Sequence, residues 1–154
     1  MRYATHPSLA LIFRIGIASI FIYASLHKIN FPLEFADNIA AYQLVPHWLV
    51  NPLAILLPWV ELVGGTALAA GVRVRAASVI MGVLLLLFTV AVVTALLRDS
   101  PIGCGCFQNI GDPISWWTVL RDIGWLLMIT HVYRYDTLVH LDRIFLVKPE
   151  ELGL

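Results

Sequence analysis

The sequence predicts an all-α membrane protein, an antiparallel four-helix transmembrane bundle with a short surface helix between spans one and two, in a single domain covering 1–154. Three observations predict it. Of the 154 residues, 60% are hydrophobic and only 13% charged, against the about 25% charged of an ordinary soluble domain. The apolar residues gather in four segments, 8–26, 50–71, 76–97 and 115–133, each close to the ~20 residues of helix that cross a bilayer. Open strands cannot satisfy their backbone polar groups in lipid, and the connectors at 72–75 and 98–114 are short enough to force antiparallel neighbours. The formal net charge of zero leaves no electrostatic footprint for nucleic acid or another polyanion.

Taken in order, the first segment is too long for a signal peptide, carries Arg14 inside it and ends in His27-Lys28 with no small-residue cleavage site, so it reads as a retained span. The stretch from Asn30 to Tyr42 opens on an asparagine cap with Pro32 in the first turn. There Glu34, Asp37, Asn38 and Ala41 fall on one polar side, as in a helix lying on the membrane surface. In span two, Pro58 precedes Glu61 by one turn, and a proline inside a helix leaves a carbonyl unpaired and bends the segment. The bend predicts a pocket, while Gly64, Gly65 and Gly71 let a neighbouring helix come close, as packing glycines do in most membrane helices. After span four, Leu138, Leu141 and Phe145 repeat among Asp136, Asp142 and Arg143, either as a second surface helix or as a frayed tail.

Orientation follows from the basic residues. Arg2, Arg73, Arg75, Arg134, Arg143 and Lys148 fall on the side of the termini, Lys28 and Arg98 on the other, and Arg14 and Arg121 within spans. The excess near the termini places both of them in the cytoplasm of a bacterial inner membrane. Trp48, Trp116 and Trp117 then form the outer aromatic belt, and Tyr133 and Tyr135 the inner one.

Ionised side chains inside the bilayer cost at least ~2.5–3.5 kcal/mol each, so Arg14, Glu61, Arg121 and Asp122 are expected to face one another. With each span centred in the membrane, both arginines lie within ~4–5 Å of the depth of Glu61. A cluster bridging spans one, two and four is the expectation. It either fixes the bundle's registry or handles protons or a quinone.

The chain's two cysteines, Cys104 and Cys106, are separated only by Gly105 in the connector before span four. A turn brings such a pair within bonding reach, but so small a loop restrains little of the unfolded chain, and strained exposed disulfides are the labile ones. Redox exchange is therefore the functional reading, and inert thiols or a local staple the alternative. A metal site is disfavoured, because tetrahedral zinc takes four ligands and there is no second cysteine pair. The outward-facing connector would place the pair where disulfides persist. His27 and Lys28 end span one at the same depth, where a cation lowers a thiol's pKa, unless Lys28 simply snorkels to the interface.

With these residues in view, the chain resembles the MauE branch of the MauE/DoxX redox-associated membrane proteins, named for methylamine utilisation. The resemblance rests on Arg14-Ile15-Gly16 with Ser25 to Lys28, on Phe35-Ala36 through Tyr42 to Leu44-Val45-Pro46, on Leu57-Pro58-Trp59-Val60-Glu61-Leu62, on Cys104-Gly105-Cys106-Phe107, and on Ile114-Ser115-Trp116-Trp117 with Arg121. It implies a four-span protein serving thiol-disulfide chemistry on the outer face, in the founding case during maturation of a disulfide-rich dehydrogenase subunit. Asp122 and Gln108 depart from the family pattern, which expects asparagine and glycine there.

Two functions from different classes follow. In the first, Cys104 and Cys106 are catalytic: they cycle between dithiol and disulfide, exchange with an extracytoplasmic thioredoxin-like partner, and pass electrons to a membrane acceptor such as a quinone. His27, Lys28, Arg14, Glu61 and Arg121 support them. By analogy, four-helix disulfide-generating enzymes work this way, although with more cysteines. In the second, the protein is a non-enzymatic anchor or assembly factor for a disulfide-containing redox enzyme resembling methylamine dehydrogenase.

Overall fold

The computed structural model describes residues 7–98 and 115–136. Five helices run in order: α1 (Pro7–Asn30), α2 (Pro32–Ala41), α3 (His47–Ala70), α4 (Val74–Leu97) and α5 (Trp116–Tyr135). There is no strand among the described residues. α1, α3 and α4 are each long and apolar enough to cross a membrane. α5 is shorter and carries Arg121, Asp122 and Arg134. The four long helices pack in the cyclic order α1, α3, α4, α5, and α2 lies against α3.

Residues 8–26 prove too short a range for the first helix, which continues to Asn30. Asn30 does not cap α2: the Phe31 N–H still donates to the His27 carbonyl at 3.0 Å, so the helical ladder runs past it. The break comes from Pro32, which pushes the preceding residue out of the helical region, and Phe31 sits at φ −125° and ψ 62°. α2 then folds back over α3, burying Ala36 against Val50 and Ala54 with Phe35, Ile39 and Val45 around them. Asp37 and Ala41 face outward as expected, whereas Asn38 is half-buried and turns toward α3 and α4.

α3 ends at Gly71, whose φ of 74° is the left-handed conformation that glycine adopts without a Cβ penalty. The Val72 N–H closes the cap on the Ala67 carbonyl at 2.9 Å, and the chain turns directly into α4. Lipid tails are as apolar as leucine, so close packing of small residues matters more to helix association here than burial of large ones. Gly64 and Gly65 carry that role on two sides of α3. A Cβ on Gly64 would collide with the Met81 sulfur of α4, and one on Gly65 would sit 3.1 Å from Ile22 Cγ1 and 3.4 Å from the Ala18 carbonyl of α1.

The main core, with Ile17, Ala18, Leu68, Met81 and Val132, fills the half of the ring nearer Pro7 and Gly71. A smaller cluster of Val92, Ala95 and Val119, flanked by Tyr42 and Phe88, closes the opposite pole. Ile12, Ile55, Val63, Leu86 and Leu127 are exposed on the outside of the ring. That apolar girdle is a surface suited to lipid rather than water. The protein is a membrane protein with transmembrane helices.

Candidate functional site

Along α1 the buried positions Ala10, Arg14, Ile17, Phe21, Ala24 and Lys28 recur at three- and four-residue steps. Along α3, Ala54, Pro58, Glu61, Gly65 and Leu68 do the same. These are the inward stripes of two amphipathic helices, and where the antiparallel stripes cross, Lys28 meets Glu61. The Lys28 Nζ donates to Glu61 Oε1 at 2.8 Å and to Oε2 at 2.7 Å, with side chains only 11% and 12% exposed. The Phe35 ring covers the ammonium at 4.9 Å, a cation–π contact.

This pair forms the floor of a half-enclosed cavity of about 370 Å³ between α2, α3 and α4. Its walls are apolar, built from Ile39, Leu53, Leu57, Leu84 and Phe88, with the polar groups of Asn38 and Tyr42 among them. Pro58 lies in the turn that bounds it and, having no N–H, cannot donate to the Ala54 carbonyl one turn earlier. On the other side, the same pair borders a void of about 50 Å³ with Phe21, Leu85 and Trp125. Lys28 and Glu61 thus stand between two spaces inside the bundle.

The expected meeting of Glu61 with Arg14 and Arg121 does not occur. Arg14 donates to Asp136 at 2.7 Å, joining the start of α1 to the end of α5 with both side chains almost fully buried. Around this contact, the His131 ring packs edge-on to Phe13 at 5.3 Å and beside Tyr135 at 4.9 Å. Arg121 pairs with its neighbour Asp122 at 3.1 Å and lies 4.6 Å over the Trp125 ring. The error is one of register. α3 extends beyond the end of α1 to receive α2, so centring both spans misplaces them. Lys28, rather than Arg14, reaches the level of Glu61, and the fourteen residues between Arg14 and Lys28 span ~21 Å of helix. Lys28 consequently does not snorkel, and it is already engaged by a carboxylate. His27 is half-buried beside Phe31, at a ring distance of 5.1 Å.

Cys104 and Cys106 lie outside the described residues, as does the predicted surface helix over 138–145. Among the described residues, no three His, Cys, Asp or Glu side chains gather as a metal site would require.

The family model described as methylamine utilisation protein MauE matches residues 6–134. The chain belongs to the MauE family. It is 33% identical over 112 residues to the methylamine utilization protein MauE of Paracoccus denitrificans, an alignment covering 71% of this chain and 60% of that protein. It is 32% identical over 103 residues to that of Methylorubrum extorquens, covering 66% and 55%, and 36% identical over 105 residues to that of Methylophilus methylotrophus, covering 67% and 55%. The matched part of the chain thus spans 55–60% of the length of these curated MauE relatives. No solved structure matches the chain.

Proposed function

We propose that this MauE-family protein is a thiol-disulfide exchange protein of the bacterial plasma membrane, in which Cys104 and Cys106 react with an extracytoplasmic partner. The observation that carries the reading is where their segment is tethered. Residues 99–114 join Arg98 to Ser115, and these ends of α4 and α5 belong to the pole that α2 covers, where Val92 and Ala95 pack on Val119. α5 serves as the fourth span, its charges inside the ring or near its ends. Trp48, Trp116 and Trp117 are exposed at the pole where Arg98 and Ser115 lie, while Arg73, Arg75 and Arg134 are exposed at the other. The basic pole faces the cytoplasm and the cysteine pole faces outward.

In one direction, a thiolate of the pair attacks a partner disulfide, forming a mixed disulfide and releasing one partner thiolate. The second cysteine then attacks its neighbour, closing Cys104–Cys106 and releasing the other partner thiol. The reverse sequence oxidises the partner. Cys106 is followed in sequence by the bulky Phe107, which favours Cys104 as the cysteine that contacts the partner. Cells carrying Cys104→Ser, Cys106→Ser and the double variant test this. Each single variant stops exchange, the resolving-cysteine variant traps its partner covalently, and the double variant still accumulates. Full function in all three, at normal expression, would refute exchange.

The second reading is the anchor or assembly factor, favoured by the names of the relatives, which tie them to methylamine utilisation. In that case the partner is a disulfide-containing redox enzyme akin to methylamine dehydrogenase, held without turnover. A defined redox potential for the cysteine pair in the purified protein separates exchange from anchoring.

A further inference from the structure

We propose that the cavity between α2, α3 and α4 binds a lipid-soluble quinone, whose carbonyl oxygen accepts a hydrogen bond from Lys28 Nζ. This deepens the exchange reading by naming the two-electron acceptor it requires, but the site itself is built without the cysteines.

Four features of the cavity select this chemistry. Its volume of about 370 Å³ lies within the ~300–1,000 Å³ of small-molecule sites. Leu87 and Val90, on its rim, are 61% and 52% exposed on the outer face of α4, so entry is from hydrocarbon. A guest must therefore be lipid-soluble. At the floor, an ammonium and a carboxylate sit side by side at 2.7 Å. An anionic headgroup would face Glu61 and a cationic one Lys28, whereas a neutral hydrogen-bond acceptor opposes neither. The ammonium has three donors, of which Glu61 takes two, and the third suits a carbonyl oxygen. Finally, aromatic rings line the space: Phe35 above Lys28, and Tyr42 edge-on to Phe88 at 6.4 Å. Such a frame favours a flat ring. A neutral, lipid-soluble, flat ring bearing carbonyls is a quinone.

The position also serves the redox reading. Ala91, on the cavity wall, precedes the tether residue Arg98 by ~10 Å along the helix. Oxidation of the dithiol breaks two S–H bonds and forms one S–S bond, releasing two electrons and two protons. Reduction of the quinone to the quinol takes up both electrons and forms two O–H bonds, so no further reactant is needed.

The test is equilibrium binding of radiolabelled ubiquinone-1 to the purified full-length protein in lipid nanodiscs. One saturable site per chain is expected, unaffected by Cys104→Ser/Cys106→Ser and not displaced by decylbenzene, which has the apolar body without carbonyls. Lys28→Met/Glu61→Leu, which keeps the space but removes the donor, lowers affinity at least about tenfold, the worth of a hydrogen bond to a charged group. Leu57→Trp, which fills the space but keeps the pair, abolishes binding. Should Leu57→Trp not fold, judged by helical circular dichroism and gel filtration, the double variant and the decylbenzene competition decide. Non-saturable uptake, equal displacement by decylbenzene as for a resident acyl chain, or wild-type affinity in the Lys28/Glu61 double variant overturns the site. Saturable binding without dithiol-dependent quinol formation would retain the site and remove the electron transfer. Partner exchange with no quinone binding would remove both the site and the electron transfer while leaving the exchange reading in place.

Discussion

Glu61→Ala would leave the Lys28 ammonium buried without its carboxylate. At 2.7 Å and an effective dielectric of about 20, the direct attraction is ~6 kcal/mol, most of it offset by the desolvation of two ions. Removing one partner forfeits the attraction but keeps the other ion's desolvation, which typically costs ~3–5 kcal/mol. Lys28→Met/Glu61→Leu removes both charges and is expected to be neutral or stabilising by ~1–4 kcal/mol. Thermal unfolding in nanodiscs, read by intrinsic fluorescence, together with accumulation in the membrane, gives the cycle. Glu61→Ala and Lys28→Met each lower the midpoint and the double variant recovers it, a coupling that only contacting residues show. Glu61→Ala combined with Arg14→Gln should be additive, because ~21 Å of helix separates Arg14 from the pair. Additive losses in the Lys28/Glu61 cycle, or strong coupling between Glu61 and Arg14, would refute the pairing.

Asp136→Ala removes the carboxylate that Arg14 meets at 2.7 Å in a buried pair and should destabilise the bundle by ~3–5 kcal/mol, while Arg14→Leu/Asp136→Leu recovers most of the loss in the same unfolding assay. Gly64→Val drives a side chain into Met81 and should cost ~1–3 kcal/mol, relieved when Met81→Ala is added. Gly71→Ala forces a Cβ into the left-handed cap and should cost about 1 kcal/mol, visible as a lower unfolding midpoint. A membrane-impermeant maleimide applied to reduced intact cells should label Cys104 or Cys106, and a reporter fused after Leu154 should be cytoplasmic; labelling only after lysis would invert the topology.

The helices were legible because apolar runs bounded by Pro32, Pro46 and Gly71 leave few alternatives. Their boundaries moved by only a few residues, and α2 lies where the Asn30–Tyr42 stretch placed it. What sequence reasoning missed was relative depth. Apolar length sets how much helix crosses, but the slide of α3 past α1 is set by Gly65 seating on Ala18 and Ile22 and by α2 needing Val50 and Ala54 to cover. The partner of Glu61 was nonetheless within reach. Arg14, Ile17, Phe21, Ala24 and Lys28 form one stripe at helical spacing, which puts Lys28 on the interior face rather than at the rim. Asp136 gave no such sign, because its pairing depends on where α5 ends.

The Arg14–Asp136 contact also bears on how the chain is made. Its two residues are 122 positions apart, so a ribosome delivering α1 to the membrane must release a helix carrying Arg14 long before the matching carboxylate exists. Until then the arginine has to be sheltered by an insertion factor, by lipid phosphates or by water at the bilayer edge. α5, the last of the described helices, is also less apolar than α1, α3 and α4, and it ends at Tyr135, beside Asp136. The contact would then act as a check on completeness during biogenesis, which crosslinking of nascent chains tests. Nascent chains truncated before residue 136 should remain crosslinked to insertion machinery through α1, and full-length chains should be released.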